Sequence, residues 1–486
     1  MEINDMTYPP LLFSEKRTLP VSPAETVTDL KLDLLLPEEV TRFLLLKSEK
    51  ETLLARREMF ESLLKDETAL QKISGIKDAL GRASVLYKAH NTTLSDKAAA
   101  YIFVHLFGEF AVFCRRASQM AGYGSLADRF AKVFRDICET QAFIDAETEH
   151  SAVLSVIDET ATLVLKVEGE NTKVARESEK SIADELRACA MELDVPLRKK
   201  ENPPIIIQKD IAEAAGKLYP EQFAKAEQFA DNYRTVISGE IFGYLEELTF
   251  IHGILKFTLK AKSKGIPYSF PTLSDKKHIE FKNVYDITLL KKEGTVIVPN
   301  DVSFTEAEPF YYLTGANGGG KTTYIRTVGV AVLLFLAGAP VFCDGGEGGL
   351  LDGVFTHFPR DERFEGSGRF FDEKKRVDAI LEKENGNSLV LLNETFATTG
   401  EEKAVECTCE LARRLYKSGS FGLYITHQHD VSENEIPFLG VMIDEADRNR
   451  RTYRIEKRRL PPRSFARDIL EKYGLTKLGL RQKFGL

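Results

Sequence analysis

A glycine-rich run in the second half of the chain is the segment whose residue types and spacing best suit chemistry. Residues 315–322 read Gly-Ala-Asn-Gly-Gly-Gly-Lys-Thr and fit the pattern G-x-x-x-x-G-K-[ST]. They follow an apolar run at 310–313 that is typical of a strand, and they precede a long apolar helix. Glycines let backbone N–H groups surround phosphate oxygens, and a helix N-terminus adds positive charge. The run therefore predicts a loop that binds nucleotide phosphates.

The residues of this loop have separate predicted roles. Gly318, Gly319 and Gly320 bring backbone N–H groups to the phosphates. Lys321 is long enough to reach the β- and γ-phosphates, and the hydroxyl of Thr322 suits a Mg²⁺ ligand. The alternative is a glycine-rich turn that binds no nucleotide. The strand before the loop and the helix after it argue against that alternative.

Polar side chains end two other apolar runs. Residues 388–392 precede Asn393 and Glu394, and residues 421–426 precede His427. A phosphate-loop enzyme needs an acidic residue at the end of a neighbouring strand. Asn393 takes the place of a metal-binding Asp, as a weaker ligand for a hard cation, and Glu394 is a candidate base or orienter for the attacking water. His427 could contact the γ-phosphate or that water. The alternatives are a polar turn at the end of a strand and a structural histidine.

Composition narrows the class of protein. The chain has 486 residues, of which 43% are hydrophobic and 29% charged, a balance typical of a globular protein. Its net charge of −8 argues against binding nucleic acid through overall charge, so an anionic partner needs a local patch. Six cysteines without dense spacing predict a reducing cytoplasm rather than a disulfide framework. The apolar run at 328–343 is too short to span a bilayer and the N-terminus lacks a signal-peptide pattern, so we expect a cytoplasmic protein with no membrane partner.

Hydrophobic periodicity divides the chain into parts. Helical spacing runs over 38–197 and 209–264, and from residue 268 short β-like runs alternate with helical stretches, which predicts an α/β domain with a largely parallel sheet. The β-like runs are 294–298, 310–313, 354–357, 389–392 and 422–425. The predicted parts are an irregular segment at 1–35, a helical domain at 36–267, the α/β domain at 268–447 and a basic helical extension at 448–486.

The order of these motifs resembles that of ABC-type ATPases, and their sequence is similar to that of the MutS family. The family loop reads T-G-x-N-x-x-G-K-S/T-T followed by an aromatic residue, an apolar residue and Arg. Asn317, Thr323, Tyr324 and Arg326 fit it. Residues 388–400 resemble the family's Walker B strand and the loop after it, and residues 424–430 its Thr-His switch. Residues 298–301 resemble the segment against which adenine packs.

The resemblance implies an α/β P-loop ATPase domain, ABC-type and MutS-like, preceded by an all-α core and lever domain with a reduced or absent clamp. It implies ATP and Mg²⁺ as cofactors, with Glu394 and His427 as catalytic residues and Thr322 and Asn393 at the metal. The nucleotide-binding residues it implies are Gly315, Asn317, Gly318, Gly319, Gly320, Lys321, Thr322, Thr323, Ser367 and Gly368. Residues 463–480 resemble the helical dimer-forming extension, and residues 245–271 a lever helix.

Three departures from the family pattern affect what is expected. The Walker B Asp is Asn393, which implies slow turnover or weak Mg²⁺ binding. The signature stretch that would complete the partner's site reads Ser-Gly-Arg-Phe-Phe over 367–371, with Phe370 in place of a serine. The Gly-x-Phe-Tyr-Glu element of mismatch-binding members does not occur, which implies a short form without the mismatch-recognition domain.

Two functions follow as hypotheses. The first is a dimeric DNA-binding ATPase that acts in DNA mismatch repair or on branched or distorted DNA, with downstream repair proteins as further partners. The alternative is a slow nucleotide-gated module that works through protein partners without binding DNA. Residues 448–486 hold 13 Lys or Arg against 3 Asp or Glu, and the run 457–459 can contact DNA phosphates or pair with the acidic body or a second subunit. The charged loop 361–365 is a solvated face or a dimer interface.

Overall fold

A computed structural model gives the fold of the chain. It describes residues 7–14, 18–158, 163–168, 171–176, 209–291, 297–315, 318–359, 369–396, 401–426, 436–444, 451–458 and 481. The chain packs as two compact units, one of residues 1–16 and 62–252 and the other of residues 17–61 and 253–486. These units are defined by packing alone, so the domain boundaries predicted near residues 35, 267 and 447 remain predictions.

The described helices account for most of the regular structure. In chain order they are α1 (Glu25–Asp29), α2 (Glu38–Leu44), α3 (Lys50–Leu63), α4 (Ala69–Thr92), α5 (Asp96–Ala117), α6 (Ser125–Cys138), α7 (Gln141–Asp158), α8 (Lys209–Leu218), α9 (Pro220–Tyr233), α10 (Tyr244–Ser263), α11 (Lys321–Leu336), α12 (Arg369–Lys383) and α13 (Glu401–Ser418). Short 3₁₀ helices lie at Leu32–Leu34, Arg234–Val236, Gly239–Gly243 and Ile287–Lys291.

The described strands form three sheets. In chain order they are β1 (Leu163–Glu168), β2 (Asn171–Arg176), β3 (Thr272–Ser274), β4 (His278–Val284), β5 (Asn300–Thr305), β6 (Phe310–Thr314), β7 (Gly345–Gly349), β8 (Val354–His357), β9 (Leu389–Asn393), β10 (Phe421–Ile425), β11 (Phe438–Ile443) and β12 (Arg451–Lys457). The sheets have the orders β1-β2, β3-β7-β4-β5 and β12-β11-β6-β10-β9-β8.

The first unit is built around α5. Ser95 precedes this helix and its hydroxyl accepts a hydrogen bond from the Ala98 N–H at 3.3 Å, which caps the first turn. Phenylalanines on one side of α5 are fully buried, each contributing about 1.5–3 kcal/mol to folding. By length and composition α5 could cross a membrane, but 67% of its most apolar window is buried inside the structure, as is typical of a core helix.

The beginning of the chain is fastened to this first unit by two charged side chains. The Arg129 guanidinium donates hydrogen bonds to the carbonyl oxygens of Pro10 and Ser14, at 2.6 and 2.7 Å. The fully buried Glu247 carboxylate accepts from the backbone N–H groups of Leu11 and Leu12. Hydrogen bonds to charged groups are the stronger kind, so residues 9–14 are an integral part of this unit.

The six-stranded sheet of the second unit positions the candidate site. Strands β8, β9, β10, β6 and β11 are parallel, and β12 pairs antiparallel with β11 at the edge. The parallel strands are nearly continuous apolar runs and are buried on both faces. The strand that ends at Asn393, β9, was expected to lie next to β6. Instead, β10 lies between them. The ends of β6, β10 and β9 still meet at one edge of the sheet.

The N-terminal residues 17–61 pack into this second unit. Asp29 is 5% exposed, and its carboxylate accepts a hydrogen bond of 2.7 Å from the Thr356 hydroxyl of β8. An Arg376 guanidinium nitrogen lies 3.6 Å from the same carboxylate. Arg326 of α11 donates through Nε to the Asp29 carbonyl oxygen at 2.9 Å. The segment predicted to be irregular therefore contains a helix, α1, whose last residue joins three elements of the unit.

Two predicted helical stretches are strands. Residues 163–168 and 171–176 lie within the range predicted as helical, but they form the antiparallel hairpin β1–β2, so the first unit is not all-α. Each strand contains two β-branched residues, which favour a strand over a helix. Residues 451–457, within the extension predicted to be helical, form the edge strand β12. The β-like runs at 310–313, 354–357, 389–392 and 422–425 are confirmed as strands.

Candidate functional site

The loop between β6 and α11 has a backbone that only glycine adopts easily. Gly315 has φ +133°, and a Cβ added there would lie 2.9 Å from Cβ of Val441. Gly320 has φ +102° and directly precedes α11. No side chain among the described residues caps α11, so its first backbone N–H groups remain available to an anion. This end of the helix is therefore suited to phosphate oxygens.

Lys321 begins α11 and is only 5% exposed. Its Nζ donates a hydrogen bond of 2.8 Å to the Gly315 carbonyl oxygen, which folds the side chain back over the loop. Burial lowers the pKa of the Lys321 ammonium, the charge of Glu394 opposes this shift and that of Arg451 reinforces it. A buried ammonium beside an uncapped helix N-terminus costs stability in the absence of an anion. Its position is explained if an anion binds there.

The polar residues at the ends of β9 and β10 lie at the same edge of the sheet. The register pairs Leu313 with Ile425 and Ile425 with Asn393, and the Glu394 N–H donates to the Ile425 carbonyl oxygen at 2.9 Å. Asn393 is 7% exposed, and its Oδ1 has no hydrogen-bond partner among the described residues. Glu394 has φ +50°, a strained conformation for a non-glycine residue that is common at functional sites.

Hydrogen bonds around Thr395 hold the segment after β9 in this conformation. The Tyr424 hydroxyl donates to the Thr395 carbonyl oxygen at 3.0 Å, and Nδ1 of His357 lies 3.0 Å from the Thr395 hydroxyl. The buried Glu373 carboxylate accepts from the Phe396 N–H at 3.2 Å. These residues do not stand out in the sequence, because they act through contacts between elements that are distant in sequence.

A cavity of about 440 Å³ adjoins the loop on the side of β5 and β12. Its lining combines the first two turns of α11 with residues of three other segments: Val284, Asp286, Leu289, Val298, Asn300, Gly320, Thr323, Tyr324, Thr327 and Tyr453. A site of this size, mostly apolar with a few polar groups, is typical of small-molecule pockets. The cavity lies next to Gly320, so a ligand with a phosphate at the loop has room for its remainder there.

The walls of the cavity are tied together by hydrogen bonds. The Asn300 amide donates to the Tyr453 carbonyl oxygen at 3.0 Å and accepts from the Ile455 N–H at 2.8 Å, which fixes β12 to β5. The Tyr324 hydroxyl of α11 donates to the Asp301 carbonyl oxygen at 2.8 Å. The pocket wall is therefore largely preformed, and it includes Val298 and Asn300 of the segment that the resemblance associates with adenine.

The structure brings together most of the predicted site residues. Those found around the loop and the neighbouring strand ends are Gly315, Gly318, Gly319, Gly320, Lys321, Thr322, Thr323, Asn393 and Glu394. Four predicted residues lie outside the described residues: Asn317, Ser367, Gly368 and His427. Asp286, Tyr453 and Arg451 were not predicted. Arg451 has a buried Nη1 atom that finds no hydrogen-bond partner within the described part of the chain.

The residues present fit the predicted Mg²⁺. The described residues contain no group of three or more His, Cys, Asp or Glu that could hold a metal by itself, Cys407 and Cys409 included. Mg²⁺ in nucleotide sites needs only one or two protein oxygens because phosphates and water supply the rest. The unpartnered Oδ1 of Asn393 and the Thr322 hydroxyl are oxygens of that kind.

Lys457, from the basic run at 457–459, interacts with the acidic body of its own chain. Its ammonium pairs with the Glu308 carboxylate and lies 5.7 Å from the centre of the Tyr311 ring. The pKa of Glu308 is lowered, first by its hydrogen bond to Lys457. Of the predicted roles for this run, pairing with the acidic body is the one observed at Lys457. The rest of the C-terminal run lies almost wholly outside the described residues.

The fold and the site define the class of protein: an α/β domain with a glycine-rich loop, a buried lysine and a cavity at the carboxyl edge of a mainly parallel sheet. Comparison with protein families agrees with this geometry. Residues 311–455 match the model of MutS domain V, which covers β6 to β12 and therefore every element of that edge. This part of the chain is therefore similar to the MutS family.

Relatives with known names share part of this chain. DNA mismatch repair protein spellchecker 1 of Drosophila melanogaster is 27% identical over 289 residues, 55% of this chain and 31% of the relative. DNA mismatch repair protein MutS 1 of Halobacterium salinarum is 32% identical over 143 residues, which are 29% of this chain and 16% of the relative. DNA mismatch repair protein Msh3 of Homo sapiens is 30% identical over 188 residues, which are 37% of this chain and 16% of the relative. The matched part thus spans less than a third of each relative.

Proposed function

We propose that this chain is a MutS-like ATPase that binds and hydrolyses ATP in a P-loop domain of the ABC type. The observation that carries the proposal is the convergence of three groups at one sheet edge. Lys321 is buried over the loop. Among the described residues, no side chain caps the N-terminus of α11 and the buried Asn393 oxygen has no hydrogen-bond partner. Each is unfavourable in isolation and favourable beside a magnesium–phosphate group.

The residues of the site then divide the work of hydrolysis. Backbone N–H groups of Gly318, Gly319, Gly320 and the first turn of α11 donate hydrogen bonds to phosphate oxygens. When the nucleotide binds, the Lys321 ammonium leaves the Gly315 carbonyl oxygen and donates to the phosphates instead. Thr322 and Asn393 would hold Mg²⁺, which when bound neutralises charge on the phosphate oxygens. Glu394 accepts the proton of the attacking water, in the position at which its strained backbone is held. His427 orients that water or the γ-phosphate.

We further propose that ATP binding controls a DNA-binding dimer. The relatives are named as DNA mismatch repair proteins, which supports a role in mismatch repair or on branched or distorted DNA. Ser367 and Gly368 of one subunit would cap the nucleotide of the other, and α10 would act as a lever between nucleotide and DNA. Downstream repair proteins are the expected further partners, and the cytoplasm is the expected compartment.

A second candidate function is favoured by one residue. Asn393 is neutral where a carboxylate would bind Mg²⁺ more strongly, which suits slow hydrolysis. A protein that holds ATP for long periods can work as a nucleotide-gated module that recruits protein partners without binding DNA. Both functions use the same nucleotide site and differ in whether DNA changes its turnover.

Steady-state ATP hydrolysis separates the two functions. The full-length chain is assayed without DNA and with duplex, mismatched and branched DNA, each at two salt concentrations, with Lys321→Ala as the inactive control. A DNA-clamp ATPase gives a rate that DNA stimulates and that added salt weakens. A rate unaffected by any DNA, with no DNA bound at low salt, selects the nucleotide-gated module. A rate equal to that of Lys321→Ala under all conditions overturns the proposed ATPase.

A further inference from the structure

One wall of the cavity carries a carboxylate that the proposed hydrolysis does not use. Asp286 follows β4 by two residues and is 5% exposed. It lines the cavity together with Asn300, Thr323 and Tyr453. A buried ionisable group in an otherwise largely apolar pocket is costly unless a ligand or a neighbour satisfies it.

The two carboxylate oxygens of Asp286 have unequal surroundings. Oδ1 accepts two hydrogen bonds from Thr288, one from its backbone N–H at 2.7 Å and one from its hydroxyl at 2.6 Å. Oδ2 is buried and has no hydrogen-bond partner among the described residues. The first oxygen caps the 3₁₀ helix Ile287–Lys291, whereas nothing in the described part of the chain satisfies the second.

Capping alone does not explain an aspartate here. A cap needs one acceptor, and serine, threonine or asparagine supplies it without placing a charge in a buried position. The nearby Arg326 does not satisfy Oδ2 either. Its Nε donates to the Asp29 carbonyl oxygen, and its guanidinium lies 5.4 Å from the centre of the Phe358 ring. Burial raises the pKa of Asp286, while the Thr288 hydrogen bonds and the charges of Arg326 and Lys31 oppose that rise.

We propose that Asp286 selects the nucleoside: its free Oδ2 accepts a hydrogen bond from an N–H or O–H donor of a nucleotide held in the cavity. The donor is the amino group of the base or a hydroxyl of the ribose, since these are the donors that an adenosine presents. The proposal rests on the proposed function, because the nucleotide phosphates must occupy the loop for the nucleoside to reach the cavity.

Asparagine at this position reverses the hydrogen-bonding character of the free atom. The backbone N–H of Thr288 can only donate, so the amide oxygen of Asp286→Asn must face Thr288 as Oδ1 does now. The amide NH₂ then takes the place of Oδ2, and an acceptor becomes a donor with almost no change in shape. A donor group of the nucleoside that hydrogen-bonds to the natural carboxylate would meet another donor in this variant, so its binding is weakened.

The test is equilibrium binding by calorimetry to the full-length chain with Mg²⁺, using diphosphates so that hydrolysis does not interfere. The ligands are ADP, purine riboside diphosphate, which lacks the base amino group, and 2′-deoxy- and 3′-deoxy-ADP. The natural chain should bind ADP at least about tenfold more tightly than the ligand that lacks the relevant donor, as hydrogen bonds to charged groups do. That preference should vanish or reverse in Asp286→Asn.

The pattern of preferences identifies the donor. Loss of affinity with purine riboside diphosphate assigns the base amino group, and loss with a deoxy nucleotide assigns that hydroxyl. Asp275→Asn is the matched control, since its side chain is 85% exposed and lies outside the cavity lining; it should keep the natural preference. Equal affinity of the natural chain for all four ligands, or preferences unchanged in Asp286→Asn, overturns the assignment while leaving nucleotide binding intact. No binding of any ligand by the natural chain overturns the proposed function itself.

Discussion

Replacing Asn393 by aspartate is the most informative change at the metal position. The side chain keeps its shape, but a negative charge enters a place that is 7% exposed and has no hydrogen-bond partner for Oδ1 within the described residues. Glu394 follows directly, so the new charge is also repelled. We expect the metal-free variant to lose about 1–3 kcal/mol of unfolding free energy, the cost of an unsatisfied buried group. Mg²⁺ at about one hundred times its dissociation constant would return about 2.7 kcal/mol.

Urea unfolding with and without Mg²⁺ and ADP measures this effect. The midpoint of Asn393→Asp should be lower than that of the natural chain without metal and should rise strongly with it, whereas the natural chain responds weakly. Asn91→Asp is the matched control, because Asn91 is exposed near the end of α4 and its replacement should leave the Mg²⁺ response unchanged. Steady-state ATP turnover of Asn393→Asp should also increase. Equal Mg²⁺ responses in Asn393→Asp and Asn91→Asp would refute the metal role of this position.

Four further changes test other parts of the account. Gly315→Ala should lower the unfolding free energy by about 3 kcal/mol because of its positive φ and the contact with Val441, whereas Gly318→Ala, which meets no atom, should cost only about 1 kcal/mol in the same denaturation assay. Glu394→Gln should reduce ATP turnover about 100-fold or more while ATP binding, measured by calorimetry, stays within a few-fold. The Lys321 pKa is lowered from 10.5, so the natural chain should gain stability as pH rises towards 10.5, by up to about 1.4 kcal/mol per pH unit, relative to Lys321→Met. Asp29→Ala should lower the melting temperature of the chain and its unfolding free energy, the latter by about 3 kcal/mol. The change removes the buried carboxylate that accepts a hydrogen bond from the Thr356 hydroxyl and pairs with Arg376.

The parallel strands were readable from the sequence for a physical reason. Residues 310–313, 389–392 and 422–425 are buried on both faces of the sheet, so each is an unbroken apolar run. The strand β7, at 345–349, consists of four glycines and one glutamate, and no propensity or periodicity marks it. It forms because β3 and β4 pair with it on either side. That information lies in tertiary contacts and not in the segment itself.

Some residues of the candidate site could be predicted from local sequence patterns, and others could not. Lys321, Asn393 and Glu394 were predicted because they stand at fixed spacings within motifs or at the ends of apolar runs. Asp286 and Tyr453 were not, because they become neighbours of the loop only when β4 and β12 join their sheets. The prediction that the Asn393 strand neighbours β6 was wrong, since strand order depends on long-range pairing that a single sequence does not display.

The phosphate site at the glycine-rich loop can be tested by comparing ATP binding to the natural chain and to Lys321→Ala. Calorimetry with Mg²⁺ should give one ATP per natural chain, and Lys321→Ala should bind at least about tenfold more weakly, because the buried ammonium and its hydrogen bond to phosphate are lost. Circular dichroism should show that both chains are folded. Equal ATP affinity in the two chains, or no binding by the folded natural chain, would contradict a phosphate site at this loop.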